Sequence, residues 1–437
     1  MAFDGVVLRN ALKFTEILHN TEIYSAAKMQ AYQRRLLKRL VYHAKAEVPF
    51  YETRLNPLFG PKDEIRWEAW KDIPIFSRAE AQAAGDALFA RNTPPQTGNY
   101  STQTTSGSTG MPLTVRRSAL TSIMSAAINQ RIFNWHNVNC DGTIAFIFDD
   151  TDAFPYPDGL VERDWNLKNK SAQVYQLSIG CTVNQQIEWL VRNAPDILGT
   201  YPQNARAIVE QMQRSAQPIS FQTLICHGEV LGRETRQVIE GAGIKIIDRF
   251  GGEDIGVISA NCPNGTWHHQ FSEVGLMEIV ADDGQTILKT GMGALVGTPL
   301  YNYAMPFIRY RNGDQIELSS TPCSCGRTLP RIESILGRDR NVFTFSDGSQ
   351  VWPDMNQWEY APFLPAKQFQ VIQHAPTEVE VLYVPSEENA EVDESGFSKL
   401  LRAKLHSDIL VKLTKVQALE RAPSGKFETW KSYVNAS

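Results

Sequence analysis

The segment that decides the fold is ILGTYPQNARAIVEQMQRSAQPISFQTLICHGEVLGRETRQVIEGAGIKIID, residues 197–248. Its short apolar runs have the length and composition of buried strands, and the intervening apolar residues recur at helical spacing. The predicted strands are 197–201, 224–226 and 244–248, and the predicted helices are 204–213 and 233–240. Strands that alternate with helices in this way predict a mostly parallel sheet covered by helices.

The same alternation extends upstream, and the pattern changes downstream. Upstream we predict a helix over residues 29–44, a strand over 144–148 and a helix over 185–193. After residue 261 short strands follow one another without helices, at 276–280, 286–289, 295–298 and 307–310. A separate unit begins near residue 339, with strands at 369–373, 379–384 and 411–416 and a helix at 398–405.

These patterns predict an α/β protein with two domains. The large N-terminal domain, residues 1–338, should contain mostly parallel sheets flanked by helices and a β-rich subdomain over about 261–338. The C-terminal domain, residues 339–437, should be a small α+β unit on a hinge. Ligands of parallel sheets bind outside the carboxyl ends of the strands, so the loops after Cys226 and Asp248 are the expected functional loops.

Composition narrows the possible function classes. The chain has 437 residues and a net charge of -5, which disfavours nucleic acid as a partner. No apolar run is long enough to span a membrane, and the N-terminus lacks the pattern of a signal peptide. We therefore expect a cytoplasmic protein. A homodimer is one option for its oligomeric state, which the sequence does not determine. Cys140, Cys181 and Cys226 are scattered and are expected to be buried and unreactive.

The most specific chemical motif is the segment STQTTSGSTGMP, residues 101–112. Glycines allow the backbone to approach a phosphate closely, and hydroxyl and amide groups can donate hydrogen bonds to its oxygens. Segments rich in serine, threonine and glycine are more often solvated loops, so the order of the residues matters here. That order is not the Walker A pattern, which disfavours a P-loop NTPase.

Residues 105–112 resemble the phosphate-binding loop of the adenylate-forming ligases, in particular the branch of phenylacetate–coenzyme A ligase and its capsule-biosynthesis relatives. The resemblance covers nearly the whole chain. Five further segments match this branch in the same order: the helix and Val-Pro-Phe-Tyr of residues 34–51, Gly228-Glu229, the Ile-Arg-Tyr-Arg-Asn-Gly-Asp of 308–314, Gly337-Arg338, and the Ser-Gly-Lys-Phe of 424–427.

The resemblance implies a role for each matching residue. Lys426 would be the catalytic lysine on the mobile domain, and Asp314 would bind the ribose hydroxyls. Asp254 or Glu253 would hold Mg²⁺, and both alternatives remain open. The implied nucleotide-binding residues are Thr105, Ser106, Gly107, Ser108, Thr109, Gly110, Gly228, Glu229, Asp248, Phe250, Gly251, Asp314 and Arg338.

The chain departs from the pattern of the branch at several positions. Glu253-Asp254 replaces the usual hydroxyl residue and glutamate, and Met111 replaces a common loop lysine, so the loop would depend more on backbone donors. Arg78 stands at the position of an early lysine and keeps its charge. Arg340-Asn341 replaces the usual hinge aspartate pair. These differences indicate a specialised member.

The remaining cysteines suggest a structural zinc site. Cys323 and Cys325 form a tight pair, and Cys262 lies upstream, followed by His268 and His269. Three thiolates and one imidazole make a plausible tetrahedral set, and some relatives in the branch carry a comparable one. Alignment on Glu278 favours His269 over His268, and reduced thiols without a metal are the alternative.

The resulting functional hypothesis is a two-step ligase. A carboxylic acid, by resemblance an aryl or aryl-acetic acid, would react with MgATP to give acyl-AMP and pyrophosphate. The thiol of coenzyme A or of a carrier protein's phosphopantetheine would then accept the acyl group. The alternatives are an amine or hydroxyl acceptor, and a non-catalytic nucleotide-binding relative. His227 is a candidate contact for the nucleotide or the acyl group.

Overall fold

A computed structural model of the chain describes residues 5–104, 113–148, 152–338, 341–353, 355, 357–420 and 427–434. Within these residues the α-helices are α1 (Gly5–Thr21), α2 (Ala26–Glu47), α3 (Arg78–Ala84), α4 (Ala119–Trp135), α5 (Val183–Asn193), α6 (Pro202–Arg214), α7 (Arg233–Gly241), α8 (Gln357–Tyr360) and α9 (Glu394–Lys404). The helix predicted over 29–44 is the centre of α2, whose first turn is capped by the Ser25 side chain.

The strands are β1 (Phe76–Ser77), β2 (Tyr100–Thr104), β3 (Thr114–Ser118), β4 (Ile144–Phe148), β5 (Leu160–Arg163), β6 (Gln173–Ser178), β7 (Ile197–Thr200), β8 (Thr223–Cys226), β9 (Lys245–Gly252), β10 (Gly256–Asn261), β11 (His268–Gln270), β12 (Gly275–Val280), β13 (Ile287–Leu288), β14 (Gly291–Pro299), β15 (Tyr310–Leu318), β16 (Arg331–Arg338), β17 (Phe343–Thr344), β18 (Gln350–Val351), β19 (Ala366–Ala375), β20 (Glu378–Pro385), β21 (Leu410–Lys415) and β22 (Trp430–Ser432).

A 14-stranded sheet forms the body of the large domain, in the order β13-β12-β14-β15-β16-β11-β10-β9-β8-β7-β4-β6-β5, with β1 paired to β15. The strands β6, β4, β7, β8 and β9 run parallel, which confirms the predicted parallel sheet. From β9 onward the pairing becomes antiparallel. The β-rich part predicted downstream is therefore continuous with the parallel strands through the turn between β9 and β10.

The helices cover the parallel strands because each has an apolar side. One hydrophobic core includes Leu198 and Ile246 of the sheet together with Trp189, Ile208 and Ile239 of α5, α6 and α7. A capping box between Thr182 and Gln185 fixes the start of α5. Within the described residues, no helix is both long enough and apolar enough to cross a membrane.

Two predictions about elements need correction. The strand predicted at 307–310 is wrong, because β15 begins only at Tyr310. Phe307 and Ile308 are buried, but Arg309 has a φ of 56°, which interrupts an extended backbone immediately before the strand. Helix α4 was not predicted, because nine of its residues are buried and they leave no clear polar face in the sequence.

The small C-terminal unit has its own sheet, in the order β21-β20-β19-β22, and its own hydrophobic core. Phe343, Val371, Phe397 and Leu401 are central to that core. The strands and the helix expected here are observed as β19, β20, α9 and β21. The exact boundary between residues 338 and 339 stays a prediction, because residues 339–340 lie outside the described part of the chain.

Candidate active site and metal cluster

A hairpin carries the predicted phosphate loop. Strands β2 and β3 pair from Tyr100 with Ser118 to Thr104 with Thr114, so the intervening residues connect the end of one strand to the start of the next. These residues, 105–112, lie outside the described residues, as does Lys426. The loop positions Thr105, Ser106, Gly107, Ser108, Thr109 and Gly110 therefore stay predictions.

Arg117 joins this hairpin to the turn between β9 and β10. Its guanidinium donates to the backbone oxygen of Glu253 at 3.2 and 2.7 Å and forms a 3.0 Å ion pair with the Glu253 carboxylate. It also donates to Gln103 across the hairpin at 3.2 Å. The side chain of Glu253 is exposed and already engaged with a cation, so its carboxylate is poorly arranged to hold Mg²⁺.

Asp254, in the same turn, is more firmly held than Glu253. One carboxylate oxygen accepts a 3.0 Å hydrogen bond from the backbone of Ile255, and the other accepts a 2.9 Å bond from the hydroxyl of Tyr310. Burial, with a smaller contribution from the Asp254 charge, raises the pKa of Tyr310, so this hydroxyl stays protonated and remains a donor. A half-buried, oriented carboxylate of this kind is a suitable Mg²⁺ ligand.

Asp314 and Arg338 face each other across β15 and β16. The Asp314 carboxylate lies 3.5 Å from the guanidinium of Arg338 and accepts a 2.5 Å hydrogen bond from the Asn312 amide. The charge of Asp314 raises the pKa of Arg338. The motif residues predicted to bind the nucleotide are thus brought together, with Tyr310 four residues before Asp314 in the same strand.

Gly228 and Glu229 follow β8, as expected for a functional loop. Gly228 has a φ of 85°, which favours glycine at this bend. The Glu229 carboxylate accepts hydrogen bonds from the backbone N–H of Gln203, at the start of α6, and of Phe427, at 3.3 and 2.8 Å. Glu229 therefore connects the large domain to the residue that follows Lys426.

The residues at the end of β9 have different surroundings. The Asp248 carboxylate is buried and contacts His268 at 3.2 Å and Arg236 at 3.9 Å, so its charge is engaged in the interior. Phe250 is half-buried and packs against the main core. At Gly251 a Cβ would lie 2.1 Å from the backbone oxygen of Gly256, so this position requires glycine. Nucleotide contacts by these three residues stay predictions.

Three rings that the sequence did not identify as a set meet at the carboxyl edge of the parallel strands. Phe148 ends β4, Tyr201 follows β7 and His227 follows β8. The ring centroids of Phe148 lie 4.6 Å from His227 and 5.0 Å from Tyr201. The sequence could have predicted that these residues lie at the same edge, because each follows or ends a predicted strand. The packing of their rings could not be predicted before the strand order was known.

The predicted metal ligands come together. The ligand atoms of Cys262, His269, Cys323 and Cys325 all lie within 4.8 Å of one another. The sulfur atoms of Cys262 and Cys323 are 3.7 Å apart, and the sulfur of Cys325 is 3.2 Å from Nε2 of His269. Three sulfurs and one nitrogen in this arrangement fit a tetrahedral Zn²⁺ ion.

The surroundings distinguish the two histidines. Nδ1 of His269 faces the backbone oxygen of Leu329 at 3.4 Å, which leaves Nε2 for the thiols, and burial lowers its pKa to about 4. It is therefore neutral at pH 7, the form that binds metals. The ring nitrogens of His268 instead contact Ser259 and Asp248. Burial raises the pKa of Cys262 to about 12, a shift that a bound cation would oppose.

Comparison with known proteins gives a consistent relationship. No protein-family model matches the chain. The phenylacetate–coenzyme A ligase of Thermus thermophilus is 26% identical over 347 residues, which cover 75% of this chain and 74% of that protein. The phenylacetate–coenzyme A ligase of Escherichia coli is 25% identical over 363 residues, with 78% of each covered.

Solved structures agree with this relationship at the level of the fold. The crystal structure of 2-hydroxyisobutyryl-CoA ligase in the postadenylation state superposes with a TM-score of 0.72 at 16% identity, covering 95% of this chain and 91% of that one. An anthranilate-CoA ligase in complex with anthranoyl-AMP gives a TM-score of 0.56 at 14% identity, covering 76% and 66%. The chain is therefore similar in sequence to phenylacetate–coenzyme A ligases and shares the fold of solved CoA ligases that form acyl-adenylates.

Proposed function

We propose that the protein is an AMP-forming acid–coenzyme A ligase. A carboxylate oxygen would attack the α-phosphorus of ATP, releasing pyrophosphate and leaving acyl-AMP. The thiol of coenzyme A would then attack the acyl carbon and release AMP. The observation that carries the proposal is the convergence of Asp254, Tyr310, Asp314 and Arg338 beside the hairpin that bears residues 105–112.

In the proposed reaction an anionic carboxylate attacks an anionic phosphate, so the site has to hold both groups in place and reduce their repulsion. Asp314 would accept hydrogen bonds from the ribose, and the loop would donate to the outer phosphates. Asp254, oriented by Tyr310, would hold Mg²⁺, which when bound neutralises phosphate charge. Lys426 would stabilise the charge that develops between the carboxylate and the α-phosphate. Glu229, bonded to the adjacent Phe427 backbone, supports an approach of Lys426 to this edge of the sheet.

We further propose that the acid is aryl or aryl-acetic. The partly exposed rings of Phe148 and His227 offer flat surfaces at the carboxyl edge, and Phe148 packs against the buried ring of Tyr201. Flat rings of this kind favour an aromatic guest. The two curated relatives are named for phenylacetate, which supports the same choice. Coenzyme A is the proposed acceptor; a carrier-protein thiol, an amine and a hydroxyl are the competing acceptors.

We also propose that Cys262, His269, Cys323 and Cys325 hold a structural Zn²⁺. Four protein ligands fill a tetrahedral ion and leave no open position for a substrate, so the ion would fasten β10, β11 and the turn before β16. The bond from His269 to a backbone oxygen is the usual outer contact that orients a metal-bound histidine.

Carboxylate-dependent exchange of radioactive pyrophosphate into ATP tests the proposed function. We expect exchange with at least one aromatic or aryl-acetic acid, and thioester formation when coenzyme A is added. Lys426→Ala should lower exchange by about 100-fold or more, because charge stabilisation in the transition state is lost. Lys399→Ala, at an exposed lysine of α9, should match the unmodified protein. Nucleotide binding without exchange for any acid would instead support the non-catalytic alternative.

A further inference from the structure

Arg249 occupies an unusual position at the edge of the sheet. It lies in β9 one residue beyond Asp248, the last residue paired with β8. Because side chains alternate along a strand, Arg249 points away from the face on which Asp248 meets His268. Its guanidinium instead donates to the side-chain oxygen of Asn129 in α4 at 2.9 Å and lies 3.1 Å from Nδ1 of His227.

Arg249 differs in its partners from the two fully buried arginines, Arg131 and Arg309. Arg131 forms a 2.7 Å ion pair with Glu273, and Arg309 forms a 3.1 Å ion pair with Glu278. Arg249 forms no ion pair within the described part of the chain, and its buried Nε has no hydrogen-bond partner there. Two of the three guanidinium nitrogens thus have partners among the described residues, and Nε has none.

Partial removal of this guanidinium from water is unfavourable without an anion. Burial lowers the pKa of Arg249 to about 10, which still leaves it charged at pH 7. The charge of Asp248 opposes this shift, but its carboxylate contacts His268 and Arg236 and forms no ion pair with Arg249, so the guanidinium remains available to an anionic ligand. Asn129, Phe148, His227 and Arg249 are all partly exposed, so a ligand at this edge can reach the guanidinium.

We propose that Arg249 binds a second anionic group on the substrate and that the preferred substrates are dicarboxylic acids. This inference rests on the proposed function. The carboxylate that reacts has to meet the α-phosphate, which the proposed function places near the Asp254 turn. Arg249 is instead joined to His227, whose ring packs on Phe148 among the rings proposed to hold the acyl group. Its guanidinium therefore suits the far end of the substrate.

A matched pair of acids tests this selectivity. Pyrophosphate exchange is measured with para-phenylenediacetic acid and with its monoamide, which has nearly the same shape but lacks the second charge. Glutaric acid and its monoamide give an aliphatic pair. In each pair that reacts, we expect kcat/KM to be roughly 10- to 100-fold higher for the diacid, as for hydrogen bonds to a charged group.

Variants of Arg249 separate this contact from a structural role. Arg249→Met should remove most of the preference for the diacid, and Arg249→Lys should keep part of it. Arg214→Met, at an exposed arginine of α6, should leave the preference unchanged. Circular dichroism and thermal melting check that each variant is folded, and the comparison in the unmodified protein does not depend on any variant.

The failures of the two proposals can be told apart. If monocarboxylic acids support exchange and the monoamides react as well as the diacids, the role of Arg249 is overturned while the ligase activity stands. The role of Arg249 is also overturned if the Arg249→Met variant is folded and loses activity equally toward the diacid and its monoamide. If no acid supports exchange, the proposed function itself is overturned, and this inference with it.

Discussion

The hydrogen bond from Tyr310 to Asp254 connects two parts of the chain that are 56 residues apart in sequence. Tyr310 is fully buried, and Arg309, immediately before it, is held by hydrogen bonds to the backbone oxygens of Lys71 and Ile73 at 2.6 and 2.7 Å. Arg309 therefore combines a backbone with positive φ and a guanidinium that is held by hydrogen bonds. The ring of Tyr310 packs against Phe76 and Phe307, with ring centroids 5.2 and 4.7 Å away, and its hydroxyl orients the proposed Mg²⁺ ligand.

Tyr310→Phe should raise the Mg²⁺ concentration that gives half-maximal exchange by several-fold, because the Asp254 carboxylate loses its orienting donor. The lost bond should also reduce stability by about 1 kcal/mol. Titration of exchange activity with Mg²⁺ at saturating ATP measures the first effect. Tyr51→Phe is the matched control, since it removes another buried hydroxyl nearby, bonded to the backbone of Pro306 and Ile308 rather than to Asp254. Equal Mg²⁺ dependence in both variants would contradict the role of Tyr310.

The side chains of the candidate site differ in how far the sequence could predict them. Asp314 and Arg338 belong to ordered motifs, so their position could be predicted, and they do face each other. The choice between Glu253 and Asp254 could not be made from sequence, because it depends on Arg117 and Tyr310, which lie far away along the chain. Arg249 was not considered a site residue, because only the fold shows that it lacks an acidic partner.

The hairpin β2–β3 and the β9–β10 turn belong to different sheets, and Arg117 links them through the backbone and side chain of Glu253. The predicted phosphate loop is the connection between the two strands of that hairpin. If the loop holds the β- and γ-phosphates and the turn supplies Mg²⁺, this link sets the distance between the two groups. Small errors in such positioning reduce rates strongly.

Arg117→Gln should therefore lower kcat/KM for ATP by roughly tenfold while leaving the protein folded. Initial exchange rates at varied ATP measure the effect. Arg192→Gln is a suitable control, because Arg192 is an exposed arginine of α5 that also donates to a backbone oxygen, that of Pro157. The idea fails if the two variants have the same kcat/KM for ATP.

The elements with the clearest hydrophobic periodicity were the ones that the sequence predicted correctly. In the segment 197–248 all five predicted elements are observed within a few residues, because short buried strands and amphipathic helices alternate there. Helix α4 is buried on most sides and gave no such pattern. The strand predicted at 307–310 failed because apolar composition could not reveal the positive φ of Arg309.

The proposed zinc cluster lies where several distant parts of the large domain meet. Its ligands come from the end of β10, from β11 and from the turn between β15 and β16. Arg327, in the same turn, contacts the Glu22 carboxylate at 3.4 Å, just after α1, and Glu22 also accepts a 2.7 Å hydrogen bond from Trp135 of α4. The cluster thus connects the antiparallel strands to the N-terminal helices. The ligand residues could be proposed from sequence, whereas this connection could not.

Removal of the metal should consequently affect the stability of the whole domain more than its chemistry. We expect about one zinc per chain in protein purified without chelator. A strong chelator, or Cys325→Ser, should lower the melting temperature by roughly 5–10 °C, since loss of a structural ligand set costs a few kcal/mol. Below that lower melting temperature, KM for ATP should change little, because no open position on the ion faces a substrate. Cys181→Ser, at a thiol outside the cluster, should have neither effect. If the purified protein contains no zinc and the chelator leaves its melting temperature unchanged, the four side chains are reduced thiols and an imidazole packed together without an ion.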